Sequence, residues 1–249
     1  MVEPKIIPSQ PALILEGKNR SLVVSDLHIG FESNLLTNKI FVGKNTTTQE
    51  TINAIEGLID IVKAETLILL GDVKSSIKSI TKSEWEEVPR FLKKINEKVD
   101  IVLIPGNHDA NIQKLVPEGV TLISSLGVVI ENILLTHGHT MPTENFSHVD
   151  KIIMGHVHPV FFQEDSVLNG QRVWLSIKTE KQNIFPSTSG ELEIIVIPSF
   201  NKYFYATHKK HYKKSISPIL ERIKIFSSAR IVTLDGTIIG DESIINQIL

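Results

Sequence analysis

The feature that most constrains the fold of this chain is a series of short apolar runs, each followed closely by a polar cluster. The runs cover residues 22–24, 67–70, 101–104, 133–135 and 152–154. The clusters after them are Asp26-Leu27-His28, Gly71-Asp72, Gly106-Asn107-His108-Asp109, His137-Gly138-His139 and Gly155-His156-Val157-His158. Apolar runs of this length between turn residues are typical of buried strands. Because ligand sites collect at strand ends in α/β proteins, the pattern predicts an α/β fold with a site there.

The clusters contain oxygen and imidazole ligands in sufficient number for two divalent ions. Asp26 and His28 are two positions apart, so both side chains can point to the same mouth of the sheet. Asp72 is the natural bridge, because one carboxylate can offer an oxygen to each of two cations. A lone histidine after a strand is usually a surface or core residue, and a lone aspartate is usually a turn or cap. The metal-site prediction therefore depends on all five clusters in order.

Length and composition indicate one large α/β domain spanning residues 1–249, with a C-terminal extension from about residue 202. A net charge of −2 gives no general attraction to nucleic acid, so such binding would need a local patch. The absence of cysteine excludes disulfides and thiolate metal sites. Residues 1–10 contain two prolines and charges instead of the apolar stretch expected of a secretory signal, and no apolar run approaches the roughly 18 residues of a membrane span. We therefore expect a cytoplasmic protein without a membrane partner.

Helices and turns are predicted from local signals. A helix is expected from Thr48, because apolar residues follow it at helical spacing. They are Ile52, Ile55, Ile59 and Val62. Ser83 and Glu86 predict a capping box for a second helix, in which Pro89 predicts a kink or a later start. After residue 119 the pattern changes to short strands and tight turns, and Asp235-Gly236 predicts a hairpin near the C terminus.

The five clusters resemble, residue by residue, the signature of the calcineurin-like metallophosphoesterases: D-x-H, G-D, G-N-H-[DE], H and G-H-x-H. The resemblance covers about residues 20–200. Within that superfamily the chain is most similar to archaeal phosphoesterases related to the double-strand-break repair nuclease, and to bacterial ligase-associated phosphoesterases. That narrower likeness is carried by residues 26–32, 71–74 and 198–201. The resemblance implies a four-layer fold, in which two β-sheets pack face to face and are flanked by helices.

The resemblance also implies a dinuclear metal centre. The first ion takes Asp26, His28, Asp72 and His158, and the second takes Asp72, Asn107, His137 and His156. Mn²⁺ is expected, with Fe, Ni, Zn or Mg as alternatives, because metal availability usually decides occupancy. A hydroxide bridging the two ions would attack phosphorus in line. His108 resembles the catalytic histidine of the family, which stabilises charge and protonates or orients the leaving oxygen. Asp109, the other catalytic candidate, is expected to fix the orientation of a neighbouring group.

Several residues near these clusters have two interpretations. Lys74 either contacts a substrate phosphate or is an exposed loop lysine. His139 lines the substrate pocket, supports the ligands from behind, or has a plain structural role. Trp85 and Trp174 are expected to pack, and His148 to be solvated. Lysines and aromatic residues at 208–214 can bind nucleic acid, but such a run is more often a solvated face.

Two differences from other branches of the superfamily narrow the predicted function. No arginine follows Gly71-Asp72, which disfavours the phosphoprotein phosphatases, and the tyrosine ligand of purple acid phosphatases is missing near the same point. The leading hypothesis is a phosphodiesterase with two metal ions, with DNA or RNA among its substrates. The alternatives are a phosphomonoesterase or nucleotide hydrolase, and a non-catalytic scaffold of the same fold. The scaffold ranks lowest, because His108 and every ligand are present. The sequence leaves open whether the chain forms homo-oligomers.

Overall fold

The computed structural model describes residues 2–32, 46–163, 165–203, 217–223, 227–241 and 243. The elements of that part are, in chain order, β1 (Pro4–Ile6), β2 (Leu13–Glu16), β3 (Arg20–Val24), α1 (Thr46–Val62), β4 (Thr66–Leu70), α2 (Lys82–Asn96), β5 (Asp100–Ile104), β6 (Val120–Leu122), β7 (Val128–Ile130), β8 (Ile133–Thr136), β9 (Lys151–Met154), β10 (Val160–Phe161), β11 (Gln171–Glu180), β12 (Glu191–Val196), α3 (Pro218–Arg222), β13 (Ser228–Thr233) and β14 (Ile238–Gly240). Short 3₁₀ turns lie at Ile112–Lys114, Glu144–Phe146 and Lys181–Asn183. The lysine-rich run at 208–214 lies outside the described residues.

The first sheet contains β1 to β6 in chain order. Strands β3, β4, β5 and β6 are parallel, and β1 and β2 extend the sheet in antiparallel pairing. Helices α1 and α2 make the crossover connections from β3 to β4 and from β4 to β5, as parallel strands require. Parallel strands end at the same edge of the sheet. The three clusters that follow β3, β4 and β5 are therefore brought to one edge.

The second sheet has the order β14-β13-β11-β12-β9-β8-β7, and β10 pairs with β11. Strands β8, β9 and β12 run parallel to one another, so the clusters after β8 and β9 also share an edge. Strands β13 and β14 form the hairpin expected around Asp235-Gly236. Residues 228–240, which lie beyond residue 202, thus supply two strands of the second sheet.

The two sheets pack face to face, and side-chain alternation assigns their residues to separate apolar layers. Val23 of β3 points into the layer between the sheets, whereas its neighbours Leu22 and Val24 pack with helices α1 and α2. A third apolar layer covers the outer face of the second sheet and includes Ile219 and Leu220 of α3. This arrangement confirms the predicted two-sheet α/β sandwich flanked by helices.

Helix α2 corrects two sequence predictions. Its N-cap is Thr81, whose side chain accepts from the Glu84 amide, while the Glu84 carboxylate accepts from the Thr81 amide. The capping box therefore lies two residues before the predicted pair, Ser83 and Glu86. The helix starts at Lys82 and runs through Pro89, so the alternative of a later start is wrong. Its buried apolar face holds it in place despite the hydrogen bond that proline removes.

The remaining local predictions have mixed outcomes. The apolar face of α1 is buried as expected, although the helix starts at Thr46 rather than Thr48. Trp174 is buried, but Trp85 is 49% exposed, so the expectation that both tryptophans pack is wrong for Trp85. His148 is exposed, as predicted. Within the described residues, no helix combines the length and the apolar character needed to cross a membrane.

Candidate metal centre

The edges of the two sheets meet, and the ligand candidates from five strands converge there. Two groups of side chains have ligand atoms that all lie within 4.8 Å of one another. The first group is Asp26, His28, Asp72 and His158, and the second is Asp72, His137 and His156. Asn107 adjoins the second group, with its Oδ1 3.2 Å from His137 Nε2. The structure thus brings together all seven residues predicted as ligands.

The first group is a buried set of two carboxylates and two imidazoles. Oδ1 of Asp26 lies 2.9 Å from Nε2 of His158, and the Nε2 atoms of His28 and His158 are 3.3 Å apart. Nε2 of His28 is 3.9 Å from Oδ2 of Asp72. Among the described residues, every ion-pair partner of the two carboxylates is a histidine. In the described part of the chain, no lysine or arginine forms an ion pair with either carboxylate, so the set fits a bound cation.

Asp72 is shared between the two groups through different oxygens. Its Oδ2 faces His28 of the first group, whereas its Oδ1 lies 3.3 Å from Nε2 of His137 in the second. Oδ1 also accepts a hydrogen bond of 2.8 Å from the backbone amide of His108, which holds the carboxylate in this orientation. One carboxylate therefore presents an oxygen to each group, as a residue bridging two ions must.

The orientation of His137 is fixed by a backbone carbonyl. Nδ1 of His137 lies 2.7 Å from the carbonyl oxygen of Leu70, at the end of β4. Since a carbonyl can only accept, Nδ1 must donate, and the neutral ring then has its lone pair on Nε2. That nitrogen faces Asp72 and Asn107. Hydrogen bonds of this kind commonly select the metal-binding nitrogen of a histidine ligand.

The backbone at the ligand positions has left-handed φ angles that side chains rarely adopt. The values are 59° at Asp26, 46° at His28, 51° at Asp72, 70° at His156 and 49° at His158. Such a conformation costs about 1 kcal/mol or more per residue and concentrates at functional sites. Ladder bonds across the strand ends hold it: the amides of Asp26 and His28 donate to the carbonyls of Gly71 and Asp72. The fold thus maintains a strained backbone where the ligands lie.

The glycines of the motifs allow this close approach. A Cβ on Gly155 would overlap Oγ of Ser25 and lie 2.6 Å from Oδ2 of Asp26. A Cβ on Gly106 would overlap Asp72, whose amide nitrogen would be 2.5 Å away. Any side chain at either position would therefore push a carboxylate out of the ligand cluster.

Neighbouring charges lower the pKa values of the two carboxylates, and burial lowers those of two imidazoles. Burial disfavours ionised carboxylates, but the adjacent His158 lowers the pKa of Asp26 to about 2. His137 acts in the same way on Asp72, whose pKa also lies below its usual range despite burial. Burial lowers the pKa of His28 well below its usual range and that of His156 to about 4. The carboxylates are thus charged and these two imidazoles neutral near pH 7, the forms that bind metal.

His137 differs from the other imidazoles of the cluster. Burial would lower its pKa, but the Asp72 carboxylate outweighs burial and raises it to about 9. Without metal, the His137 ring is therefore protonated at neutral pH and pairs with Asp72. An ion that binds Nε2 of His137 must displace that proton.

His108 lies at the mouth of the cluster. Its ring is partly exposed, with Nε2 3.8 Å from Oδ2 of Asp72 and its centroid 4.9 Å from that of His28. Nδ1 donates to the carbonyl oxygen of Ser75. This bond leaves Nε2 as the nitrogen that can transfer a proton on the side of the ligand cluster, which suits the predicted catalytic role.

Asp109 faces the backbone instead of the ligand cluster. Its two carboxylate oxygens accept from the amides of Lys74, at 3.1 Å, and Gly106, at 2.9 Å. Burial and the charge of Asp72 raise its pKa to about 6. Asp109 thus links the loop after β4 to the loop after β5, and its role in orienting a neighbouring group stays a prediction.

Lys74 and His139 are placed differently from each other. Lys74 is fully buried, and its amine donates to the carbonyl of Ser76, so the exposed-loop interpretation is wrong. Its contact with substrate remains a prediction that this orientation does not favour. His139 is half-buried, with its ring centroid 5.2 Å from that of His137. Burial lowers the pKa of His139 to about 4, and its Nδ1 has no hydrogen-bond partner in the described part of the chain.

Sequence reasoning missed the residues that support the Asp26 loop. Oγ of Ser25 lies 2.6 Å from Oδ2 of Asp26, and Oγ of Ser199 donates to the Asp26 carbonyl. The side chain of Asn201 donates to the Leu27 carbonyl. The Arg172 guanidinium donates to the carbonyls of residues 199 and 200. The sequence signal for these contacts is the segment 198–201, which carries part of the resemblance to the archaeal and ligase-associated phosphoesterases. Only the structure shows that they lie against Asp26.

Comparisons with known proteins give a family match and similar solved structures. The family model described as calcineurin-like phosphoesterase matches residues 20–183. The fold is similar to that of Pseudomonas putida nuclease MPE, with a TM-score of 0.51 and 18% sequence identity over 94% of this chain and 98% of that one. The E. coli phosphoesterase YfcE gives a TM-score of 0.40 and 18% identity over 89% of this chain and 97% of that one. No curated protein matches the sequence significantly.

Proposed function

Because the chain belongs to the calcineurin-like phosphoesterase family, we propose that it hydrolyses phosphodiesters with a pair of divalent metal ions. The observation that carries the proposal is the division of Asp72 between two ligand groups, one oxygen to each. A single-ion site would need only the first group. The second group, with His137, His156 and Asn107, has no evident purpose unless a second ion binds beside the first.

The residues that would hold the ions are those of the two groups. When bound, two divalent ions neutralise charge on the phosphoryl oxygens and activate water near neutral pH. The mixed oxygen and nitrogen donors, without thiolate, suit Mn²⁺ and also allow Fe, Ni, Zn or Mg. His108 is the chain's own proton donor in this proposal. Its Nε2 faces the cluster and can protonate the leaving oxygen.

The charges around the cluster favour a diester over a monoester. A phosphomonoester carries a second negative charge near neutral pH, and an additional lysine or arginine would stabilise it. Within the described part of the chain, no such side chain is within ion-pair distance of Asp26 or Asp72, and the Lys74 amine is bound to Ser76. A diester carries a single negative charge and needs no further cation. Nucleic acid is the polymeric diester to be tested.

The experiment compares hydrolysis of bis(p-nitrophenyl) phosphate with that of p-nitrophenyl phosphate by the purified, Mn²⁺-loaded protein. We expect a higher kcat/KM for the diester, and the Asp72→Asn variant serves as the inactive control. Labelled single- and double-stranded DNA and RNA are then tested with the same pair of proteins. A preference for the monoester would replace this proposal with a phosphatase, and inactivity on every substrate with two metals bound would favour a scaffold.

A further inference from the structure

Glu84 is a buried acid whose hydrogen bonds exceed the needs of a helix cap. It lies in the first turn of α2 and is fully buried. One oxygen, Oε2, accepts from the Thr81 amide at 2.7 Å, which is the capping-box bond. The other oxygen, Oε1, takes no part in the cap. It accepts from the amides of Ser75, at 3.0 Å, and Ser76, at 2.6 Å.

These two serines belong to the loop after Asp72, and one peptide bond in that loop links Glu84 to His108. The amide of Ser76 and the carbonyl of Ser75 are the two ends of a single peptide unit. The amide donates to Oε1 of Glu84, while the carbonyl accepts from Nδ1 of His108. A carboxylate is therefore connected to the imidazole through one planar group.

We propose that Glu84 is a positioning residue for His108, acting through the Ser75–Ser76 peptide. A carboxylate that binds the amide end polarises the peptide and makes its carbonyl a stronger acceptor, because hydrogen bonds in a chain reinforce one another. The stronger carbonyl holds the His108 ring in one orientation.

Other contacts of the loop do not replace this one. The Ser75 amide also donates to the carbonyl of Ile29, so this loop contacts the Asp26 loop as well. The amide of Ser76 has Glu84 as its acceptor. Oγ of Ser76 lies 2.5 Å from Oε2 of Glu84, which adds a second contact between the same two residues. Loss of the Glu84 charge would therefore leave the loop in place but weaken the peptide that His108 contacts.

The test compares Glu84→Gln with Thr81→Ala as a matched control. Glutamine keeps the size and one acceptor oxygen but removes the charge. Thr81→Ala removes the hydroxyl that accepts from the Glu84 amide, and it leaves Oε1 of Glu84 and the Ser75–Ser76 peptide unchanged. Because the inference rests on the proposed function wherever it refers to turnover, the first measurement is independent of activity. It is the proton resonance of His108 Nδ1 in protein with ¹⁵N-labelled histidine and diamagnetic Zn²⁺, identified by its loss in His108→Ala.

We expect this resonance to move upfield in Glu84→Gln and to stay in place in Thr81→Ala. With a phosphodiester substrate, Glu84→Gln should lower kcat about tenfold, as expected when a charged hydrogen bond becomes a neutral one, with KM and metal content unchanged. An unmoved resonance in Glu84→Gln, or an equal loss of kcat in both variants, would overturn the proposal. If the wild type hydrolyses no phosphodiester, the proposed function fails, and the resonance still decides on the relay.

A wild-type measurement covers the case in which Glu84→Gln does not fold. Scalar coupling across a hydrogen bond would be measured between His108 Nδ1 and the Ser75 carbonyl carbon, and between the Ser76 amide nitrogen and the Glu84 carboxylate carbon. Both couplings are expected. If either coupling is missing from a well-resolved spectrum, the relay does not exist.

Discussion

Nε2 of His137 lies 3.3 Å from Oδ1 of Asp72, and both side chains are fully or almost fully buried. If a metal ion binds there, the pair would couple its binding to the loss of a proton. The Asp72 charge keeps a proton on His137 up to a pKa of about 9, although burial acts against it. The same nitrogen is the one that a metal ion would take.

The protonation of His137 can be observed directly. In the metal-free protein at pH 7.5 we expect His137 to be protonated on both nitrogens and His156 to be neutral, since their pKa values are raised to about 9 and lowered to about 4. ¹⁵N-histidine spectra recorded from pH 5 to 10 distinguish the two states. A neutral His137 at pH 7.5 would contradict the assignment.

A metal-affinity measurement follows from the same pair. Because the ion displaces the His137 proton, affinity should rise with pH between about 7 and 8.5, by up to tenfold per pH unit for one displaced proton. The stability of the metal-free protein has the opposite pH dependence. Because folding raises the pKa of His137, this group contributes its full stabilisation below its unfolded-state pKa of about 6.5. That contribution is lost as the pH rises through about 9.

Asp72→Asn tests the bridge between the two ligand groups. Asparagine adopts left-handed backbone readily and its amide oxygen can accept from the His108 amide, so the fold should be retained. Turnover should fall about 10³-fold or more, because stabilisation by the two ions would be lost. Circular dichroism and metal content by mass spectrometry accompany the rate measurement. More than a tenth of wild-type activity in a well-folded variant would exclude a bridging Asp72.

His108→Ala tests the proton donor. We expect kcat to fall by about 10²–10⁴-fold on a dinucleotide, the usual range for a lost acid or base. The loss should be smaller on bis(p-nitrophenyl) phosphate, whose leaving group departs without a proton. Metal content should stay at the wild-type level, because the His108 ring belongs to neither ligand group. Equal losses on both substrates would mean that His108 does not protonate the leaving oxygen.

The positions of the ligand clusters were predictable because strand direction and the packing of the two sheets decide them. Asp26 and Asp72 follow neighbouring parallel strands, and strands of one direction end at one edge of a sheet. His137 and His156 follow two further parallel strands, and the packing of one sheet on the other completes the site. None of this requires knowledge of a distant side-chain contact.

The capping box shows where such prediction fails. Thr81 and Glu84 have the same spacing as Ser83 and Glu86, and both pairs match the local pattern. What selects the first pair is that Glu84 also binds the amides of residues 75 and 76, a contact that the local pattern does not contain. Lys74 is a similar case, because a lysine in a polar loop is usually exposed and its burial here depends on the fold.

Gly155→Ala tests whether the motif glycines are needed for space. The added methyl group would overlap Oγ of Ser25 and lie 2.6 Å from Oδ2 of Asp26, so Asp26 must move. We expect loss of the ions from the centre together with destabilisation of about 1–3 kcal/mol, typical of overpacking in a well-packed site. Isothermal titration with Mn²⁺ and chemical denaturation measure the two effects.

Gly57→Ala is the matched control. Gly57 lies within α1, and a Cβ there would meet no atom within 4 Å. Alanine should therefore stabilise the protein by about 0.4–1 kcal/mol, because it restricts the unfolded chain and favours the helix. Metal binding should be unchanged. Full metal binding by Gly155→Ala would show that the Asp26 loop can move to make room for the methyl group. The close approach of Gly155 to Asp26 would then not be required for the site.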